Sequence, residues 1–302
     1  MIEAYLDETG IEKGAVHCII AGYFGGTGQW RKFERDWRKA LSDKDVPLEE
    51  FHALDLIKRH KFFHGWSDAE QESLLRGLAT ATISYKIHPV SIALVVKDFN
   101  YFSVEQRRFF TGALLQPGNP GKLAKGGSGS PNRPYFSPFL RCIKRVAGYA
   151  SVGGKANFFF GLDRPFGKYA AAVYKFLQDH ALDDPKDAAY REVLGTISFP
   201  LAKATPELQA ADMLAFLTKE HVAEHGPHGL HAEPQGWLRE LLRNTRMPED
   251  HTLLDKRFFL DMLQQTYERS GDWDQQRNVL RLSDFEPAPP VVPEDEDELP
   301  SF

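Results

Sequence analysis

The first residues of the chain alternate between apolar and polar side chains, which is the pattern of a half-buried strand. In IEAYLDE (2–8) an apolar Ile, Ala or Leu takes every second position. A second apolar run, VHCIIAGYF (16–24), follows a polar segment with two glycines. The two runs predict a pair of strands joined as a hairpin with a loop. Residues 28–43 then carry bulky apolar side chains at helical spacing, which predicts a helix.

Strand and helix patterns continue to alternate along the rest of the chain. Further strands are predicted within 83–97 and at 157–163 and 193–201. The run NFFFGLD (157–163) is almost continuously apolar, as in a strand that is buried on both faces. Apolar residues recur at helical spacing in the segments 67–82, 104–115, 135–150, 168–182, 207–221, 235–244 and 256–268. This order predicts an α/β fold with a mixed sheet and flanking helices.

Composition divides the chain into three parts. Residues 1–225 are predicted to form the core, interrupted by the Gly-, Pro- and Ser-rich segment 116–134, which predicts a flexible loop. Residues 226–285 predict a helical extension packed on the core. Residues 286–302 are rich in proline and acidic side chains, which is typical of a disordered tail.

Overall composition is that of an ordinary globular protein, with 42% hydrophobic and 26% charged residues. No apolar run is long enough to span a bilayer, and the first residues lack the pattern of a signal peptide. Together with only two cysteines, this predicts a cytoplasmic protein with no membrane partner. Six of the 42 acidic residues lie in the tail, so the remaining chain is close to neutral. A near-neutral body neither indicates nor excludes nucleic acid as a partner.

Three aspartates are the strongest candidates for chemistry. Asp7 follows the first strand pattern, Asp163 follows the apolar run at 157–162, and Asp212 lies beside the apolar face of the helix at 207–221. Carboxylates that converge need a cation, and Mg²⁺ or Mn²⁺ is the natural choice for oxygen ligands. Two alternatives stay open, because Asp7 could cap a turn and Asp163 could cap the following helix.

Four short strings resemble the domain-of-unknown-function 3800 family. YLDETG is similar to the D-E-S-G opening of that family, and LQAAD is similar to the Leu-Gln-x-Ala-Asp helix that ends its core. FHALDL and FFFGLD fit the segments between them. The resemblance spans residues 2–220, with Thr9 where the family usually has Ser. It implies a ribonuclease H-like fold and a nuclease activity.

The resemblance also implies roles for six residues. Asp7, Asp163 and Asp212 would bind Mg²⁺ or Mn²⁺, and Glu8 would be a fourth carboxylate that acts as a ligand or as a base. Because neighbouring residues on a strand point to opposite faces, Asp7 is favoured over Glu8 as a ligand. His52 would contact substrate or carry a proton, unless it is a half-buried histidine with no role. Gln209 would orient the carboxylate of Asp212.

Two functions are consistent with these residues. The first is a divalent-metal-dependent nuclease that hydrolyses phosphodiester bonds of DNA or RNA. The second is a catalytically silent ribonuclease H-like module that binds or scaffolds, with a protein partner, in phage defence or a mobile element.

Overall fold

The computed structural model describes residues 1–112, 115–116, 119–123, 132–150, 154–161, 164–180, 192–225 and 233–270. These residues form an α/β fold built on a six-stranded mixed sheet. The strands are β1 (Ile2–Thr9), β2 (His17–Gly26), β3 (His88–Val95), β4 (Leu115–Gln116), β5 (Asn119–Leu123), β6 (Ala156–Phe160), β7 (Leu194–Ser198) and β8 (His251–Leu254). The α-helices are α1 (Thr27–Ser42), α2 (Ala53–Lys58), α3 (Asp68–Ser84), α4 (Val96–Asn100), α5 (Val104–Phe110), α6 (Phe136–Ala150), α7 (Arg164–His180), α8 (Pro206–His225), α9 (Gly236–Leu241) and α10 (Lys256–Ser270).

The main sheet has the strand order β7-β6-β1-β2-β3-β8. β1 pairs antiparallel with β2, and β2 pairs antiparallel with β3, which confirms the predicted hairpin. β6, β7 and β8 join as parallel neighbours of β1, β6 and β3. β1 therefore lies inside the sheet, with an antiparallel neighbour on one side and a parallel neighbour on the other.

Two hydrophobic layers cover the faces of this sheet. One layer contains Leu6 and Phe160 from the strands and packs them against α6, α7 and α10. The other contains Tyr23 and is formed mainly by α1, α3, α8 and α9. The alternation of β1 decides which residue enters which layer, because successive side chains point to opposite faces. Leu6 enters the first layer, and Asp7 consequently faces the second.

Several helices begin and pack as their sequences predict. Ser67 caps α3, since its Oγ accepts from Glu70 N at 3.3 Å while the Glu70 carboxylate accepts from Ser67 N at 2.8 Å. This reciprocal pair satisfies two donors at the start of the helix. In α1 the predicted apolar stripe is buried, including Trp37, which is 0% exposed. Among the described residues, no helix has both the length and the apolar character needed to cross a bilayer.

The C-terminal part of the chain supplies a strand that the sequence did not reveal. β8 pairs in parallel with β3, with Ser91 opposite His251. The segment predicted as a helical extension at 226–285 therefore contains a strand as well as two helices, α9 and α10, which lie where helices are predicted. This segment therefore completes the sheet. Residues 271–285 and the predicted tail at 286–302 lie outside the described residues.

Two further predictions need local changes. The long strand predicted within 83–97 is β3 alone, because α3 continues to Ser84 and α4 begins at Val96. In the predicted loop at 116–134, residues Asn119–Leu123 form β5, which pairs antiparallel with β4. Residues 124–131 of that loop lie outside the described part of the chain.

A hydroxyl–imidazole network fixes β8 to its surroundings. His251 Nδ1 lies 2.9 Å from Ser91 Oγ, and its Nε2 lies 2.9 Å from Thr245 Oγ1. A neutral imidazole can donate to one hydroxyl and accept from the other, whereas an imidazolium can only donate. Burial lowers the pKa of His251 to about 4. The folded protein therefore holds this ring neutral at pH values where an unfolded histidine is charged.

We expect this network to make the fold acid-sensitive. Between pH 6.5 and 4 the unfolded chain binds a proton at His251 that the folded chain does not, so stability falls as the pH falls. The contribution lost between pH 7 and 5 is at most about 2 kcal/mol. Urea unfolding of the wild type and of His251→Gln, measured at several pH values between 7 and 5, isolates the contribution of His251. The free-energy difference between the two proteins should shift with pH, and a constant difference would contradict this assignment.

Candidate functional site

Asp7 lies in the second half of β1 and is 9% exposed. It stands opposite Ala21 of β2, and its Oδ1 accepts a hydrogen bond from Glu8 N at 3.0 Å. On the other side β6 ends at Phe160, and Gly161 N still donates to Leu6 O at 3.1 Å. The carboxylate therefore sits where β6 stops and β1 continues, an edge at which open sheets commonly place sites.

Asp212 approaches from α8, which packs across β1 and β2. Its side chain is 20% exposed, and its Oδ2 accepts from Ala53 N at 2.8 Å. That N–H opens the first turn of α2, where backbone donors have no partner within the helix. Asp212 thus binds α2 to α8, and it lies close enough for its charge to act on Asp7. This location explains why an aspartate stands in an otherwise apolar Ala- and Leu-rich stretch.

Burial and neighbouring charges make both carboxylates hard to ionise. Burial raises the pKa of Asp7 well above its usual range, and the charges of Glu8 and Asp212 raise it further. Burial also raises the pKa of Asp212, against the lowering effects of His52 and of the Ala53 N–H. Buried neighbouring carboxylates need a shared proton or a cation. The pair therefore has the electrostatic character of a cation site.

Glu8 points away from this pair. β1 is regular through Thr9, so Asp7 and Glu8 lie on opposite faces of the sheet. On the far face Glu8 adds to the effect of burial in raising the pKa values of Cys18 and Tyr135. The choice of Asp7 over Glu8 agrees with this geometry, and Glu8 does not join Asp212.

His52 stands at the entrance to the pair. Its side chain is 52% exposed, and its Nε2 lies 4.0 Å from Asp212 Oδ1. Its Nδ1 lies 3.8 Å from Asp55 Oδ2, and Lys61 Nζ lies 2.8 Å from that same oxygen. The imidazole is thus placed between two carboxylates. The sequence does not reveal the roles of Asp55 and Lys61. Asp55 is a single aspartate in the string FHALDL, and nothing in that string indicates which residues it contacts in the fold.

Gln209 takes part in a different set of contacts from the one that the sequence suggested. Its two amide N–H groups donate to Leu48 O at 2.7 Å and Lys203 O at 3.2 Å. Its Oε1 accepts from Trp37 Nε1 at 2.9 Å. Both donors that could have served Asp212 are used elsewhere. Gln209 consequently holds α8 against α1 and the neighbouring turns, and so positions Asp212 through the helix.

The third predicted aspartate, Asp163, lies outside the described residues. Gly161, two positions earlier, is in place beside Asp7. Within the described ranges, no three His, Cys, Asp or Glu side chains are grouped so that they could hold a metal ion. What the described residues provide is two carboxylates, whose oxygen donors suit a hard cation such as Mg²⁺ or Mn²⁺.

Gly161 leaves the space that the Asp7 carboxylate fills. A Cβ at this position would lie 2.7 Å from Asp7 Oδ1, closer than any real contact of that kind. The carboxylate would give way before the backbone, since it ends a side chain. We therefore expect Gly161→Ala to displace Asp7 and to lower the catalytic activity proposed below at least about tenfold. Initial-rate measurements at saturating substrate test this.

Stability provides the control for Gly161→Ala. A Cβ at Gly28, near the start of α1, would meet no atom within 4 Å, so Gly28→Ala changes only the backbone's freedom. Gly28→Ala should keep wild-type activity, and Gly161→Ala should lower the melting temperature only slightly. Full activity in Gly161→Ala would show that the exact position of Asp7 is unimportant.

The site rests on contacts between distant parts of the chain. Asp7 comes from the first strand, Asp212 from α8, and His52 from the turn before α2. Such convergence of titratable side chains in one place is typical of functional sites. Comparisons of the chain with protein-family models, with curated proteins and with solved structures found no match.

Proposed function

We propose that this protein is a divalent-metal-dependent phosphodiesterase that hydrolyses nucleic acid. The observation that carries the proposal is the pairing of Asp7, which is buried, with the half-buried Asp212, because burial raises the pKa values of both carboxylates. A stable fold gains nothing from such a pairing. It is explained if the pair is completed by a cation during function.

Asp7 and Asp212 would hold Mg²⁺ or Mn²⁺, and Asp163 is the third proposed ligand. When bound, such an ion activates water and stabilises the charge that develops on phosphodiester oxygens. The chain itself fixes the geometry: β1 holds Asp7 between β2 and β6, and the Ala53 N–H holds Asp212 from the opposite side. Burial limits the access of water to the Asp7 carboxylate, which is 9% exposed.

His52 is the proposed substrate-side group. It is half exposed and lies next to Asp212, so an incoming phosphodiester would meet its imidazole before reaching the carboxylates. Asp55 faces the opposite ring nitrogen and limits the orientations that the ring can take. His52 would thus donate a hydrogen bond to the scissile group or pass a proton to the leaving oxygen.

Strand topology supports a ribonuclease H-like arrangement as part of the proposal. Five strands follow the order β7-β6-β1-β2-β3, with β1, β2 and β3 antiparallel and β6 and β7 parallel to β1. The resemblance to the domain-of-unknown-function 3800 family points the same way. Both agree with carboxylates placed on β1 and on α8, the helix that follows β7.

A cleavage assay tests the function. Purified protein is incubated with single-stranded DNA, single-stranded RNA, duplex DNA and an RNA–DNA hybrid, each in Mg²⁺, in Mn²⁺ and in EDTA. We expect cleavage of at least one substrate in a metal and of none in EDTA. Failure on all four substrates in both metals would contradict the proposal.

A second candidate is a binding module without catalysis. It needs no metal ion, and the described residues by themselves group no three side chains that could hold one. Calorimetric titration with Mn²⁺ separates the two functions. Heat of binding that is lost in Asp7→Asn supports the enzyme, whereas no binding at millimolar Mn²⁺ supports the module.

A further inference from the structure

We infer that the turn at residues 58–66 is a stacking platform for single-stranded nucleic acid, with Phe62 as the side chain on which a base stacks. This inference rests on the proposed function and names its substrate class. We call this segment, KRHKFFHGW, the 58–66 turn. It follows α2 directly and lies beside His52 and Asp55.

Phe62 is unusual in this protein. Of the aromatic side chains that the structure describes, Phe62 alone is exposed, at 38%. All others are buried or half-buried, which is expected because aromatic rings stabilise the fold when they leave water. Part of the Phe62 ring is therefore accessible to a ligand.

The ring is held in a defined position. Its centroid lies 5.5 Å from that of Phe63 and 6.5 Å from that of Trp66, both in edge-on arrangements. Phe63 is fully buried and fixes the base of this cluster. These contacts hold the Phe62 ring in place, and its exposed part is open to a stacked partner. A preorganised face of this kind binds a base with little loss of entropy.

The backbone of the 58–66 turn is itself strained and firmly held. Arg59 and Lys61 both lie in the left-handed region, with φ values of 54° and 47°. Residues without glycine's freedom adopt this conformation at a cost, and they keep it only where surrounding contacts enforce it. Here Gln71 Nε2 donates to Leu56 O and Ile57 O, and His60 N donates to Asp55 O. Arg59 ends α2 in this conformation, as residues at helix C-termini often do, and the contacts keep the turn in one position.

The turn is also next to the proposed reaction. Lys61 Nζ lies 2.8 Å from Asp55 Oδ2, whose other neighbour, His52 Nδ1, is 3.8 Å away. His52 in turn lies 4.0 Å from Asp212 Oδ1. A strand whose phosphodiester reaches Asp212 therefore passes the 58–66 turn within a short stretch. Only a strand with unpaired bases can offer a base face to Phe62.

Charge around the turn favours stacking over phosphate contact as the main source of affinity. Lys58, Arg59 and Lys61 each pair with a carboxylate, from Glu220, Asp68 and Asp55 respectively. These pairs leave little unbalanced positive charge to attract a backbone. A base stacked on an aromatic ring contributes binding whatever its sequence. We therefore expect sequence-tolerant binding with a shallow dependence on salt.

Fluorescence anisotropy in EDTA tests the inference without cleavage. The probes are a labelled oligodeoxythymidine of about 12 nucleotides, within the range that single-strand sites cover, and the same strand in a duplex. We expect the single strand to bind more tightly, and Phe62→Ala to weaken its binding at least about tenfold. Phe62→Trp keeps an aromatic face and should retain binding. Met247→Ala removes another exposed apolar side chain, 47% exposed and beyond the β3 edge, and should have no effect.

The outcomes separate this inference from the proposed function. If Phe62→Ala binds the single strand as the wild type does while the wild type still cleaves nucleic acid, the platform is wrong and the function stands. Tighter binding of the duplex than of the single strand also overturns the platform. If the wild type neither binds nor cleaves any nucleic acid, both fail. The melting temperature of Phe62→Ala shows whether this variant has a folding defect. If it does, Phe62→Trp is the deciding variant, because loss of single-strand binding in Phe62→Trp would overturn the platform.

Discussion

Asp7→Asn and Asp212→Asn are each expected to lower the rate of nucleic-acid cleavage about a thousandfold or more. A bound metal stabilises the transition state of phosphodiester hydrolysis by several kcal/mol, and each 1.4 kcal/mol is about tenfold in rate. An amide keeps the size of the carboxylate but not its charge, so the metal would be lost. Cleavage rates at saturating substrate and Mg²⁺ measure the effect.

Neither substitution should damage the fold. Asp7 Oδ1 accepts a hydrogen bond from Glu8 N, and Asp212 Oδ2 accepts one from Ala53 N. The side-chain oxygen of an asparagine at either position can accept the same hydrogen bond. Burial is the largest cause of the raised pKa values of both aspartates, and a neutral amide avoids the cost of burying a charge at either position. We expect melting temperatures equal to or above that of the wild type in the absence of metal. A large fall in melting temperature would mean that the loss of activity reports unfolding.

Glu8→Gln is the matched control for Asp7→Asn. It makes the same chemical change on the next residue of the same strand, but on the opposite face of the sheet. Activity within a few-fold of the wild type is expected. A loss as large as that of Asp7→Asn would show that the reaction uses the face of Glu8, and would contradict the placement of the site.

The part of the candidate site that depends on the alternation of a strand could be predicted from the sequence. The alternation of β1 predicted that Asp7 and Glu8 separate, and the structure places them on opposite faces. Asp212 was noticed because a carboxylate beside an apolar helix face has no packing role. Such inferences need only local pattern and elementary electrostatics. The approach of Gly161 to Asp7 could not be predicted, since it depends on where β6 ends relative to β1.

Contacts between remote segments account for most of what the sequence did not reveal. Gln209 lies one turn from Asp212, and that spacing suggested a direct contact. Its amide instead serves Trp37, Leu48 and Lys203, which are close only in the folded chain. β8 was missed for a related reason. Its four residues are too few to show a period of two, and β3 stabilises them as a strand by pairing along its free edge.

Asp250→Ala is expected to destabilise the whole fold by about 3 kcal/mol. Asp250 is fully buried just before β8, and its carboxylate accepts from Arg145 Nε at 2.6 Å and from Tyr149 OH at 2.9 Å. Both partners belong to α6, so one side chain joins the C-terminal strand to the first hydrophobic layer. Removing one partner of a buried ion pair commonly costs about 3–5 kcal/mol, and the lower end applies because Arg145 keeps 30% exposure. The free energy of unfolding in urea at pH 7 measures the loss.

The form of the unfolding curve tests whether the C-terminal segment is part of one core. Because β8 pairs with β3, Asp250→Ala should shift a single transition to lower urea without changing its slope. Asp250→Asn keeps a side-chain acceptor and the same volume, so it should lose only about half as much stability. If residues 226–270 were instead an extension packed on a self-sufficient core, Asp250→Ala would leave the main transition in place. An early, separate transition for the C-terminal part would then appear, and this result would contradict the role that we assign to β8.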